Sequence, residues 1–239
     1  MVTFLLALAA LSTATQPPVP VSDFVRPSTV ESMKMSPDGR FLAMVAPQSD
    51  YETMLVVLDT KTLKKVGGIR SARQRLVGDY WWVSDDRLAV AVARKFGGLD
   101  EPLLNGHLFA VNADGTNIQP LFGTGSVRQV GTRMKSEDNQ QGVAAMADPM
   151  PNDPKHVILA NWIPGAELPF TELWEVDIYT GKRRKITRAP IAGASFLADH
   201  SGRVSYAWAN NPAGWHQLYM RDEKDQWIVV NDERQSGLE

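Results

Sequence analysis

Four times along the chain a leucine stands four residues ahead of an Asp or Asn, and turn-forming residues follow. The segments are Leu55-Val-Val-Leu-Asp59, Leu108-Phe-Ala-Val-Asn112, Leu173-Trp-Glu-Val-Asp177 and Leu218-Tyr-Met-Arg-Asp222. Asp and Asn accept hydrogen bonds from backbone N–H groups two residues on, and glycine supplies positive φ, as offered by Gly115 and Gly181. Each segment therefore reads as strand, tight turn, strand. The returning strands fall near Val66, Ile118, Lys185-Ile186 and Trp227 to Val230. A second turn precedes each segment, at Ser36 to Gly39, Ser84 to Asp86, Asn152 to Pro154 and Asp199 to Gly202. Short apolar strands follow directly: Phe41 to Val45, Leu88 to Val92, His156 to Ala160 and Val204 to Trp208. Each repeat thus holds two hairpins.

The repeat intervals run 53 residues from Asp59 to Asn112, 65 to Asp177 and 45 to Asp222. Four strands in about 40–50 residues is the period of a propeller blade. The long middle interval contains Gly123 to Pro151, which is expected to be a surface insertion. A blade cannot bury both sheet faces alone and must stack on neighbours. Trp81, Trp82, Trp174 and Trp208 are expected to fill the layers between blades. The fold predicted is all-β, a partial β-propeller of about four four-stranded antiparallel blades over residues 31–239, with little helix. A β-sandwich ranks below it, because sandwich strands rarely repeat matched positions at this spacing.

Composition narrows the function. A net charge of −2 over 239 residues builds no broad positive field, so nucleic acid is not an expected partner. The densest basic stretch, Lys61 to Arg75, reads as a solvated turn and strand face. Without cysteine there is no disulfide, thiolate nucleophile or cysteine-based metal site. Residues 1–14 form one apolar run, shorter than the ~20 residues a membrane span needs. Ser12 and Ala14 suit signal-peptide cleavage after Ala14, although no Lys or Arg precedes the run. Residues 15–30 then read as an extended Pro-rich segment, and the protein as secreted or periplasmic with no membrane span.

Several segments resemble known propellers. Ser36-Pro-Asp-Gly39-Arg40 followed by Phe-Leu-Ala resembles the strand-opening motif of TolB-like and WD40-like propellers, and Thr180 to Thr187 the matching outer hairpin. Val21 to Pro27, running into Met35-Ser-Pro-Asp-Gly39, is similar to the mature N-terminus of bacterial acylaminoacyl-peptidase-like and dipeptidyl-peptidase-like enzymes of the prolyl oligopeptidase family. In that family a propeller of about seven or eight blades precedes an α/β-hydrolase domain and restricts its active site to short peptides. The hydrolase domain carries Ser, Asp and His in that order, the Ser on a Gly-x-Ser-x-Gly elbow. The resemblance therefore implies a C-terminal hydrolase domain as partner and peptides as substrates. This chain departs from the pattern in blade number and in lacking the elbow, which reads as the N-terminal part of a longer protein. A closed four-bladed propeller is the rival architecture. A stand-alone TolB-like module that docks partner proteins on one rim is the rival function.

The search for chemistry assigns no catalytic, cofactor-binding or metal-binding residue, and no substrate-binding residue is known. Gly193-Ala-Ser195 is the nearest approach to an elbow, but Leu197 replaces the second glycine, so Ser195 reads as a strand or turn serine. His107, His156, His200 and His216 fall in separate repeats, whereas a metal needs convergence. Some members of the family hold a substrate's α-amino group with paired acids. The adjacent acids here are Asp85-Asp86, Asp100-Glu101, Glu137-Asp138 and Asp232-Glu233. The first pair reads as a structural turn, and the second lies in an expected outer loop from Gly97 to Gly106. An open blade array exposes strand edges and apolar faces, which predicts oligomerisation or poor solubility.

Overall fold

The computed structural model describes residues 29–49, 51–71, 75–95, 101–123, 142–163, 169–199 and 202–238. The expected signal peptide, His200 and the pair Glu137-Asp138 lie outside them, as do Asp100 and Val21 to Pro27.

The described residues form four four-stranded antiparallel sheets, each a meander in chain order. Blade 1 comprises β1 (Ser32–Met35), β2 (Phe41–Ser49), β3 (Glu52–Asp59) and β4 (Lys65–Arg70). Blade 2 comprises β5 (Leu76–Trp82), β6 (Arg87–Arg94), β7 (Leu103–Asn112) and β8 (Gln119–Phe122). Blade 3 comprises β9 (Val143–Asp148), β10 (His156–Trp162), β11 (Glu172–Asp177) and β12 (Arg183–Arg188). Blade 4 comprises β13 (Ser195–Ala198), β14 (Val204–Asn210), β15 (His216–Arg221) and β16 (Trp227–Asp232). A one-turn helix, α1 (Glu233–Ser236), follows, capped by Asp232 at its start and by Gly237 in the left-handed conformation at its end.

The repeat turns behave as their chemistry dictates. Asp59 accepts from the Lys61 and Thr62 N–H groups at 3.1 and 2.8 Å. Asp177 accepts from Tyr179 and Thr180 at 2.8 and 2.9 Å, and Asp222 from Lys224 and Gln226 at 2.8 Å each. In blade 2 the turn is longer. Asp114 takes over as acceptor for Thr116 N–H, Asn117 adopts positive φ, and β8 starts one residue past the expected Ile118.

Two expectations need correction. The insertion expected over Gly123 to Pro151 is shorter, because Val143–Asp148 is the first strand of blade 3. Its sequence, Val-Ala-Ala-Met-Ala-Asp, has one β-branched residue, so propensity did not mark it. The loop expected from Gly97 to Gly106 is also shorter, since Leu103 to Gly106 already belong to β7. There β7 continues past a register shift in its pairing with β6.

Three hydrophobic layers join successive blades. Ala43, Val45, Leu55 and Val57 of blade 1 pack on Val77, Tyr80, Leu88 and Val90 of blade 2. Ala89, Leu108, Ala110 and Leu121 of blade 2 pack on Val157, Leu159 and Val176 of blade 3. A thinner layer joins Ile158 and Leu173 of blade 3 to Val204 of blade 4. Trp81 and Trp174 cover the second layer, and Trp82 the first, stacked on Phe41 with ring centres 6.2 Å apart. Trp208 does not fill a layer. It lies on the face of blade 4 turned away from blade 3, paired with Ser195 and Leu218, and no described blade follows to cover it.

Candidate functional site

The strands divide the molecule into two rims. At one rim every connection is short, closing at Ser36–Arg40, Thr60–Lys64, Val83–Asp86 and their equivalents in the later blades. At the other rim lie the ends of the longer connections, described at Lys95, 101–102, Gly123, Gly142, Ile163 and 169–171. Function in repeat scaffolds sits on such loops, because a rigid sheet can carry them without rearranging. The long-loop rim is therefore the candidate site.

Every blade places an exposed apolar side chain on that rim: Tyr51, Leu103 and Leu104, Ile163 and Phe170, and Trp215. Two of these rings carry a cation. Lys95 Nζ is 5.9 Å from the Tyr51 ring centre, and the Arg188 guanidinium carbon is 4.5 Å from that of Phe170. Amphipathic pairs of this kind suit a surface that contacts peptide or protein.

The basic stretch Lys61 to Arg75 does not form a single patch. Lys61 and Lys64 lie in the turn before β4, and Arg70 closes that strand at the opposite rim. A six-residue strand separates its ends by roughly 17 Å, so the charges serve two different rims. Arg73 lies outside the described residues.

Near the axis, the first strands of neighbouring blades approach one another, β1 with β5 and β9 with β13. Here Lys34 of β1 reaches blade 2. Its Nζ donates to Asp79 Oδ1 at 2.7 Å and to the Tyr80 carbonyl at 2.5 Å, and lies 4.7 Å from the Tyr80 ring centre. In return, Trp82 Nε1 donates to the Lys34 carbonyl at 2.9 Å, and Tyr80 OH donates to the Ala43 carbonyl at 2.9 Å. This group ties blades 1 and 2 together and engages two of the lysine's three donors.

A second clamp joins blades 2 and 3. Arg87, 1% exposed, donates to the Ile178 carbonyl from Nε at 3.1 Å and from Nη2 at 2.8 Å. Nη2 also donates to the Asn117 carbonyl at 3.0 Å, Nη1 donates to Asn112 Oδ1, and the Tyr179 ring centre lies 4.8 Å from the guanidinium carbon. Burial pulls the Arg87 pKa down from its usual value. Sequence reasoning missed both clamps. Arg87 occupies the place held by Phe41 in blade 1 and His156 in blade 3, opposite the turn Asp or Asn, and nothing local marks it as buried.

The sequence candidates remain apart. Ser195 opens β13, exposed, opposite Trp208. His156 pairs with Asp153 at 2.8 Å on the short-turn rim. His107 sits in β7, where burial and then Arg75 lower its pKa. The backbone N–H of His216 donates to Glu233 at 2.8 Å, while its ring Nδ1 is buried without a hydrogen bond. Asp86 accepts from Ser84 Oγ at 3.0 Å within its turn. Asp232 caps α1 and accepts from Gln217 at 2.8 Å, so Asp232 and Glu233 both accept hydrogen bonds from the chain itself. Glu101 is exposed beside β7. No group of three metal-ligating side chains occurs among the described residues, and no described helix is long and apolar enough to cross a membrane.

Four meander sheets joined face to face around inner strands define a partial β-propeller. No protein family and no curated protein sequence matches the chain. Solved structures do. An oligogalacturonate lyase in complex with manganese is 13% identical with a TM-score of 0.52, covering 88% of this chain and 56% of the lyase. The acylaminoacyl peptidase of Pyrococcus horikoshii is 13% identical with a TM-score of 0.48, covering 84% of this chain and 32% of the peptidase. The β-propeller domain of the Trilobed protease from Pyrococcus furiosus is 12% identical with a TM-score of 0.46, covering 87% of this chain and 59% of that domain. The chain thus spans little more than half of the lyase it matches.

Proposed function

We propose that the chain is the gating propeller of a secreted or periplasmic serine peptidase of the prolyl oligopeptidase type. It would select oligopeptides by size and pass them to a hydrolase domain carried elsewhere in the parent protein. The observation that carries this reading is the long-loop rim, where all four blades offer exposed apolar side chains. The resemblance of Val21 to Pro27, running into Met35-Ser-Pro-Asp-Gly39, to that family supplies the reaction class. The propeller acts by exclusion and positioning, which requires no reactive group of its own.

The test has two arms. The 239-residue chain alone is expected to leave aminoacyl and peptidyl chromogenic substrates intact; turnover abolished by Ser195→Ala would overturn the reading. In the gene, a Gly-x-Ser-x-Gly some few hundred residues beyond Glu239 is expected. A stop codon soon after ring closure would instead favour a TolB-like module that docks proteins on the same apolar rim.

A further inference from the structure

Successive blades meet at three seams, and these are not built alike. Lys34 crosses the first and Arg87 the second, and every guanidinium nitrogen of Arg87 donates a hydrogen bond. At the third seam, between blades 3 and 4, stands Arg221. It immediately precedes the turn Asp222, a place held by Val111 in blade 2 and Val176 in blade 3. Those valines are buried, each packed on the preceding blade. Arg221 takes the same place with a side chain only 8% exposed, its guanidinium carbon 5.7 Å from the Trp227 ring centre. Trp227 in turn reaches blade 3, donating from Nε1 to the Arg188 carbonyl at 3.0 Å. The guanidinium is poorly matched to this place. Nη2 pairs with Asp225 at 2.9 Å and Nη1 meets the Val204 carbonyl at 3.5 Å, but Nε is buried without a hydrogen bond. The counter-ion is 67% exposed and belongs to a turn residue at φ +61°, a left-handed conformation that side chains disfavour. Met150 of blade 3 is strained at the same seam. It is buried at φ +49°, and its methyl would lie 2.4 Å from a Cβ added at Gly202 of blade 4. Strained residues persist only where the surrounding structure holds them, and they cluster at switch regions. A buried charge with an unmet donor costs stability that apolar residues of similar volume return.

We propose that the seam between blades 3 and 4 is an opening joint of the propeller, and that Arg221 sets how readily it parts. Opening returns the guanidinium to water and releases Met150 and Asp225 from their left-handed conformations. The seams on either side of blade 2, where the crossing cations are better matched, stay closed. Phe170 of blade 3 and Trp215 of blade 4, exposed on the long-loop rim, move apart as the joint parts. Both sides of the joint lie within described blades. The inference is independent of the peptidase reading, and its readout is local opening rather than turnover.

Hydrogen exchange of the full chain measures the joint. Arg221→Leu matches Leu58 at this place in blade 1 and leaves the exposed Asp225 in water. It is expected to slow exchange of the β14 and β15 amides about tenfold or more, with β6 and β7 unchanged. Arg221→Met, closer in volume to arginine, guards against a packing defect and is expected to act in the same direction. Exchange of β14 and β15 that is unchanged or faster in both variants would overturn the proposal, as would equal slowing in all four strands. Asp225→Asn tests the charge, since asparagine tolerates the left-handed turn. In the parent chain it is expected to speed exchange of β14 and β15, and in the Arg221→Leu background to leave it unchanged. An equal effect in both backgrounds would show that the ion pair does not govern the joint, and would equally overturn the assignment to Arg221.

Discussion

Leu55, Leu108 and Leu173 are 0%, 2% and 0% exposed, yet Leu218 at the same place in the repeat is only partly buried. The same repeat leucine thus has different energetic weight, because the next blade and not the residue's own strand completes the burial. Truncating a buried leucine loses its transfer free energy and leaves a cavity, about 2–5 kcal/mol in all. Leu55→Ala and Leu173→Ala are expected to cost about 3 kcal/mol each. Leu218→Ala should cost under about 1 kcal/mol. Urea titration of the three variants checks the contrast, and equal losses would show that blade 4 is covered. Arg87 makes a complementary case. Its removal strands the buried Ile178 carbonyl and takes a donor from the partly buried Asn117 carbonyl. Arg87→Ala is expected to destabilise by about 2–3 kcal/mol. Arg87→Lys should recover only part of that, because one ammonium cannot reproduce the planar fork that bridges two carbonyls. Full recovery by lysine in the same titration would mean that charge alone matters there.

Hairpins were readable in the sequence because their turns are local chemistry. Asp59, Asp177 and Asp222 announce themselves by spacing and composition, and each accepts the backbone hydrogen bonds that such turns require. Strand β9 was not readable, because alanine and methionine carry little strand preference and its place is set by pairing with β10. Trp208 misled for a different reason: its apolar character was evident, but burial depends on a neighbouring blade. The turns also carry a pH signature. Asp38, in the turn between β1 and β2, has its pKa lowered from 3.8 to about 2 by the hydrogen bond from Arg40 and then that from Ser36 Oγ. Lowered folded-state pKa values also mark Asp59, through Thr62, and Asp114, through Thr116. A carboxyl with a depressed folded pKa contributes stability that is complete above its unfolded value and lost as pH falls through the folded one. Asp38→Asn should therefore lower the urea midpoint by a constant amount at neutral pH. The difference from the parent chain should shrink below about pH 4 and vanish only below about pH 2. A difference that persists undiminished at the acid end would mean that the carboxylate charge is not what stabilises this turn.

Across the whole molecule burial is uneven, and that unevenness predicts how the arc opens. The layers around blade 2 contain its Leu88, Leu108, Leu121, Phe109 and Tyr80, all buried. Blade 4 contributes to the core mainly Ala194, Val204, Ala207 and Ala209, side chains with little apolar area to bury. In a repeat array each unit is held by its own sheet and by its neighbours, so a terminal unit with a thin interface opens before a central one. Amides of β14 and β15 should exchange with solvent through local opening, whereas those of β6 and β7 should exchange only with global unfolding. Hydrogen exchange read by mass spectrometry separates the two cases, and equal protection of blades 2 and 4 would contradict the uneven core, because a thin interface leaves the terminal blade a low-energy local opening that the enclosed blade lacks.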